Sequence, residues 1–161
     1  MKTHVFILII ACVIMLLPAI SIAKDGPVQL SLFTPVQIVP ENESVTAFRL
    51  SLIYGSNANM TGFDFGLVTK TSGEFKGIQW GFVGMVQNNF TGWQSNFVSL
   101  TNGSMQGLQT AFYNSSDHLS GLQFGLINNT GTIKGIQLGL INLIKTGGFM
   151  PIFPIVNWGG L

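Results

Sequence analysis

Few residues in this chain could do chemistry. His118 follows Asp117 in the stretch Ser115-Ser116-Asp117-His118, and such a pair could act as acid and base or as two metal ligands. A divalent metal needs three or four ligands, and a triad needs its base oriented by a third group. Adjacent turn residues supply neither, so the pair reads as an exposed polar turn. The carboxylates are scattered, with Asp25, Glu41 and Glu43 near the N-terminus, Glu74 in a turn and Asp64 in a glycine-rich stretch. No second carboxylate stands in register with Asp64 to form a glycosidase-type pair. Arg49 precedes Asp64 by 15 residues, and pairing of neighbouring strands would bring the two together as a structural salt bridge. The glycines sit in strand-like stretches with no GK[ST] after them, which excludes a phosphate loop. Asn42, Asn59, Asn89, Asn102, Asn114 and Asn128 open N-x-[ST] sequons. In a chain so rich in Asn, Ser and Thr these read as turn chemistry rather than glycan sites. The sequence nominates no catalytic residue, no cofactor site and no metal site.

The elements that carry these residues are copies of one unit. The stretch GLQFGLINNTGTIKGIQLGLIN, residues 121–142, holds two of them: Gly, apolar, Gln, apolar, Gly, apolar, apolar, Asn. Equivalent glycines fall at Gly62, Gly77, Gly92, Gly107, Gly121 and Gly135, at spacings of 15, 15, 15, 14 and 14 residues. Two positions after each comes Asp64, Gln79, Gln94, Gln109, Gln123 or Gln137. A degenerate first copy begins at Ala47. Such a fixed period marks a repeat architecture. The Gln row reads as mutual satisfaction of buried amides; beside Trp and Phe it could also bind a sugar.

Within a copy the side chains alternate. Ile78, Trp80 and Phe82 point one way, while Gly77, Gln79 and Gly81 point the other. Period two is a β-strand with one apolar and one small or polar face, and the glycine load opposes a helix. Polar turn-formers separate the strands, among them Thr71-Ser72-Gly73, Gln87-Asn88-Asn89, Asn114 to Asp117 and Asn129-Thr130-Gly131. With extended segments near Pro27 to Ile38 and Phe149 to Trp158, the expectation is an all-β domain of about nine strands. The favoured arrangement is an antiparallel meander closed into a small barrel, its apolar face toward lipid and its Gly/Gln face filling the lumen. The mean hydropathy of +0.46 supports it. The alternative is a β-solenoid with one coil per copy, stacking Gln on Gln and Asn on Asn; Trp80, Phe82, Trp93 and Phe97 look bulky for so thin a core. An open sheet ranks third, suggested by Pro35, Pro151 and Pro154 in the outermost strands.

Composition bounds the setting. The 161 residues are 47% hydrophobic and 8% charged, with 20 Gly and 13 Phe, against about 25% charged in ordinary domains. Lipid, a partner or uncharged polar residues must cover a surface so poor in charge. A net charge of +1 provides no basic field for nucleic acid. Residues 1–23 read as a signal peptide: Lys2, then the apolar run Val5 to Leu17, then the small-x-small site Ser21-Ile22-Ala23. Residues 24–161 form the single repeat domain. Cys12 lies within the leader, so the expectation is an exported chain that folds without disulfides.

At GLQFGLIN and GIQLGLIN, with Pro27 to Ser31 and the closing Phe153 to Trp158, the chain resembles a family of exported bacterial surface-repeat proteins with tandem GLQxGLxN-type units. The resemblance implies export to the envelope of a Gram-negative-type bacterium and no particular activity. Some relatives look like lipoproteins, but no cysteine stands at this cleavage site, so lipid anchoring is not carried over. Copies three and four depart from the pattern, with Asn96 and Ala111 in place of the second glycine. The expectation is a non-enzymatic envelope or surface protein, structural or adhesive, associated with the outer membrane and its lipid, without cofactor. The alternative is a secreted module that binds a glycan or other small ligand through a Gln/aromatic face.

Overall fold

The computed structural model describes residues 25–160; the leader and Cys12 lie outside the described residues. Strands β1 (Gly26–Phe33), β2 (Val36–Gln37), β3 (Val45–Asn57), β4 (Met60–Thr71), β5 (Phe75–Val86), β6 (Phe90–Thr146) and β7 (Ile152–Gly159) form one sheet in the order β2-β1-β3-β4-β5-β6-β7. The pairings from β1 through β3, β4 and β5 to β6 are parallel. Partners sit one repeat apart: Gly62 faces Gly77 and Gly77 faces Gly92. Strand β6, at 57 residues, is several coils wound without a break, with Gln109 bonded to Gln94 15 residues back and Gln123 to Gln109 14 back. The chain is a parallel β-solenoid.

This corrects the favoured expectation of a meander or closed barrel. The repeat itself supplies the physical reason. In an antiparallel pair the residue numbers run in opposite senses, so like positions can meet at one point only. Parallel winding lets every Gln meet a Gln and every Gly a Gly along the whole array. Parallel strands need a long crossover, and here the second half of each copy supplies it. That half is itself extended, so one copy makes two walls joined at a bend. The expected nine strands become seven: the polar stretches Thr101–Gly103, Asn114–Asp117 and Asn129–Gly131 lie inside β6, merging four strands into one, while the segment expected from Pro27 to Ile38 divides into β1 and β2.

Repeat positions become columns up the coils. The residue two before each repeat glycine is apolar, and Val45, Met60, Phe75, Phe90, Met105, Leu119 and Ile133 form the buried apolar column. Phe75 and Phe90 stack there with ring centres 4.6 Å apart. The shorter copies lose their residue in the turn: Asn102, Gly103 and Ser104 separate Thr101 from Met105, while only Asp117 and His118 separate Ser116 from Leu119. The walls keep their register because the turn absorbs the difference.

Both ends are covered by strands of opposite sense. The short β2 folds back on β1, and β7 pairs antiparallel with the last coil, setting Asn157 against Gln137 and Trp158 against Ile136. Repeat arrays need such terminal caps, since an open coil end would present a row of unpaired backbone groups. Pro154 in β7 and Pro35 before β2 lie at these extremes of the sheet, where a missing backbone donor is tolerated.

Candidate functional site: an aromatic face over a polar interior

The interior of the coils is mostly polar. Gln79, Gln94, Gln109, Gln123 and Gln137 are fully buried, as are Arg49 and, nearly so, Asp64. Neighbouring coils stand about 4.8 Å apart, a distance that lets equivalent amides bridge them. Each Nε2 donates to the Oε1 of the previous coil: Gln94 to Gln79 at 2.8 Å, Gln109 to Gln94 at 2.7 Å, Gln123 to Gln109 at 2.6 Å and Gln137 to Gln123 at 2.7 Å. Gln79 passes the chain of bonds to Asp64 Oδ2 at 3.0 Å.

At that point the column needs a group that only accepts. Asp64 is one. Arg49 closes the column from below, its Nε donating to Oδ1 at 2.7 Å and its Nη2 to Oδ2 at 2.6 Å. Two further guanidinium donors reach Lys70 O and Thr71 Oγ1. A buried guanidinium beside a buried carboxylate is tolerable only with this degree of saturation.

A second amide column is the Asn-on-Asn stacking that the solenoid alternative expects. Asn114 and Asn128, whose sequons alone suggest turns, are both fully buried. Asn114 Nδ2 donates to Asn128 Oδ1 at 2.9 Å, and Asn128 Nδ2 donates to Asn142 Oδ1 at 2.8 Å. This column runs opposite to the glutamines, and Asn142 delivers its protons to Gly139 O and to Phe153 O in β7. The sequence carries the signal, since these asparagines recur at a spacing of 14 at the last position of the unit. Asn42, Asn59, Asn89 and Asn102 are exposed, as expected of turn residues.

The interior columns make a quantitative expectation. Gln109→Ala removes the donor to Gln94 Oε1 and the acceptor of Gln123 Nε2, and opens a gap between them. Weak alternatives persist, Thr101 Oγ1 on Gln94 and Ser116 Oγ near Gln123. The loss should be about 3 kcal/mol, read as a shift in the urea midpoint with an unchanged slope.

With the polar residues turned inward, the large apolar ones face out. Trp80 is 62% exposed and Phe124 58%. Along one wall, three rows of alternate residues stand beside one another on successive coils, for example Ile78, Trp80 and Phe82 on one and Trp93, Ser95 and Phe97 on the next. Phe82, Phe97 and Phe112 stack in a column with centres 5.0 Å apart. The bulk of these side chains, which spoke against a solenoid, is no obstacle because they lie outside the coil. A shared Gln/aromatic surface does not form: glutamines and aromatics are on opposite sides of the same wall.

The polar candidates are not gathered into a site. His118 Nδ1 lies 2.7 Å from Thr132 Oγ1 on the exposed turn edge. Asn89 Nδ2 donates to Glu74 Oε1 on the same kind of edge. Among the described residues, no three His, Cys, Asp or Glu side chains come together as metal ligands.

No protein-family model, curated protein or solved structure matches the chain. Its function therefore has to be read from its surfaces.

The aromatic face carries a shallow, open depression. In the row that carries Phe65, Trp80, Phe124 and Leu138, two coils carry Ser95 and Thr110 instead. A trough of about 520 Å³ opens there, with Phe97, Phe112 and Phe124 among its walls. A smaller hollow of about 170 Å³, between Trp80 and Trp93, shares Ser95 with it. Trp93 Nε1 donates to Thr110 Oγ1 at 3.1 Å and fixes the indole at the rim.

Proposed function

We propose that this chain is a non-enzymatic cell-envelope or surface protein of structural or adhesive function, and that it works through its flat aromatic wall at the outer membrane. The observation that carries the reading is the inversion of the coil, with amides inside and aromatics outside. Large contiguous apolar patches on a folded surface mark sites of association. The interior amides are consumed by one another, so what is left to offer a partner is the wall. Its backbone polar groups are bonded between coils, which lets the wall approach lipid without exposing unmet donors. The apolar leader and the resemblance to exported surface-repeat proteins support placement at the envelope.

The test uses charge placed away from the trough. Leu67 and Leu140 lie on this wall and are 50% and 61% exposed, so Leu67→Glu with Leu140→Glu should leave the fold intact, as circular dichroism will show. The unaltered protein should float with vesicles of bacterial outer-membrane lipid, and the double variant should lose most of that binding. Equal recovery of both proteins in the lipid-free fraction would remove the membrane-associated reading.

A further inference from the structure

We propose that the aromatic wall is also a self-association surface. In water, away from lipid, two copies of this chain close wall against wall as a dimer, with a two-fold axis between the coil of Trp80 and the coil of Ser95. The inference goes beyond the membrane reading and stands without it, since it concerns where the wall goes when no membrane is present.

The middle row of the wall carries a self-complementary pattern. On four successive coils it reads Phe65, Trp80, Ser95 and Thr110, two large rings followed by two small residues. Phe65 and Trp80 project together, edge to face, with ring centres 5.7 Å apart. Trp80 is the most exposed aromatic side chain of the wall. Beside this ridge lies the trough over Ser95 and Thr110, with phenylalanine rings in its sides. The Thr110 hydroxyl is taken up by Trp93 Nε1, so the trough offers a mainly apolar recess. A two-fold axis parallel to the strands, midway between the Trp80 and Ser95 coils, reverses the order of coils in the second copy. Trp80 then meets Ser95 of the second copy, Phe65 meets its Thr110, and each contact forms twice. Such reciprocity is what an isologous interface requires. An axis along the rod would instead set trough on trough and enclose a void.

The wall also has the size. Many of its large side chains stand about half exposed, and an aromatic side chain buries roughly 150–250 Å² when fully covered. Closing the wall would cover on the order of 1,000 Å² per copy, above the ~800 Å² per partner of a standard stable interface. The three rows between Phe48 and Leu140 carry no charged residue, so two walls meet without like-charge repulsion. Sheets packed face to face stand about 10 Å apart with their side chains interdigitated, which is how a ring enters a recess. One wall cannot serve both partners, so lipid and the second copy compete for it.

Sedimentation equilibrium of the mature chain, residues 24–161, in buffer free of lipid and detergent provides the test. A dimer should form at micromolar concentration and go no further, and Trp emission should shift to the blue as Trp80 and Trp93 lose water. Ser95→Trp sets indole against indole, and Trp80→Ser sets trough against trough; each should weaken the dimer roughly tenfold or more. Trp80→Ser combined with Ser95→Trp exchanges ring and recess across the same axis and should restore it. Both positions lie outside the coil, so circular dichroism of all three variants should match the unaltered protein. Leu67→Glu with Leu140→Glu, which charges the wall elsewhere, should be monomeric. A monomeric unaltered protein, association that grows past two, or a combined variant no tighter than the single ones overturns the proposal. Vesicle flotation keeps the two readings apart. A protein that floats but is monomeric in buffer overturns the dimer alone, and a dimer that does not float overturns the membrane reading alone.

Discussion

Asp64→Asn should lower the stability of the folded chain by roughly 3–5 kcal/mol, the range for removing one partner of a buried ion pair. The substitution is nearly isosteric, so packing is not the cause. Arg49 would remain fully buried with its charge unopposed, and Asp64 now serves three donors: two from Arg49 and one from Gln79. An asparagine carries one acceptor oxygen where the carboxylate carries two. The companion variant decides whether charge or shape matters. Arg49→Gln together with Asp64→Gln extends the neutral amide column by two rungs and removes both charges. It should recover most of the loss, as buried ion pairs replaced by neutral, well-satisfied groups often do. Urea unfolding of the three proteins measures this. A cost below about 1 kcal/mol for Asp64→Asn would show that the pair is solvated, contrary to its burial.

Gly107→Ala should be at least as damaging, at about 4 kcal/mol or more, from a single methyl group. Gly107 has a φ of +121°, a region that side chains of L-residues strongly disfavour. A Cβ there would also overlap the carbonyl oxygen of Gly92 in the preceding coil. Since that atom is backbone in a paired strand, no rotamer change can relieve the contact. The two coils would have to separate at a point where backbone meets backbone. The expected result is loss of cooperative unfolding or failure to accumulate folded protein. Gly147 provides the control, because a Cβ on it meets nothing within 4 Å. Its own φ of +79° still strains an alanine, so Gly147→Ala isolates the conformational term, about 1 kcal/mol. Similar losses at the two positions would show that the contact with Gly92 contributes nothing.

The repeat, the all-β character and the alternation of faces were legible in the sequence because each depends on local spacing. So was the meeting of Arg49 with Asp64, which follows from a shared repeat position once neighbouring copies pair. The winding was harder to read. A strand with one apolar and one small polar face fits a barrel wall and a solenoid wall equally well, and local pattern is silent on whether the next strand returns or continues. The even 14–15-residue period favoured continuation. The bulk of Trp80, Phe82, Trp93 and Phe97 was set against it on the assumption that large apolar side chains must be enclosed. Hydrophobic burial is a one-way tendency, and an interior can be filled with amides if every amide has a neighbour. The trough at Ser95 and Thr110 was not legible at all. Two small residues in separate copies become one hollow only when coils stack.

The glutamine column has a sense as well as a position. Every rung gives its protons backward and holds an oxygen out to the coil that follows, and at Gln137 that oxygen has no donor. The first rung is sealed, because a carboxylate that only accepts sits on a guanidinium that only donates. The array is therefore a vector with a fixed origin and an open head. Gene duplication could insert whole coils ahead of β7, each finding an acceptor already waiting and lengthening the rod by about 4.8 Å. Insertion at the origin would instead separate Arg49 from Asp64. Length in such a molecule is free to drift at one end only.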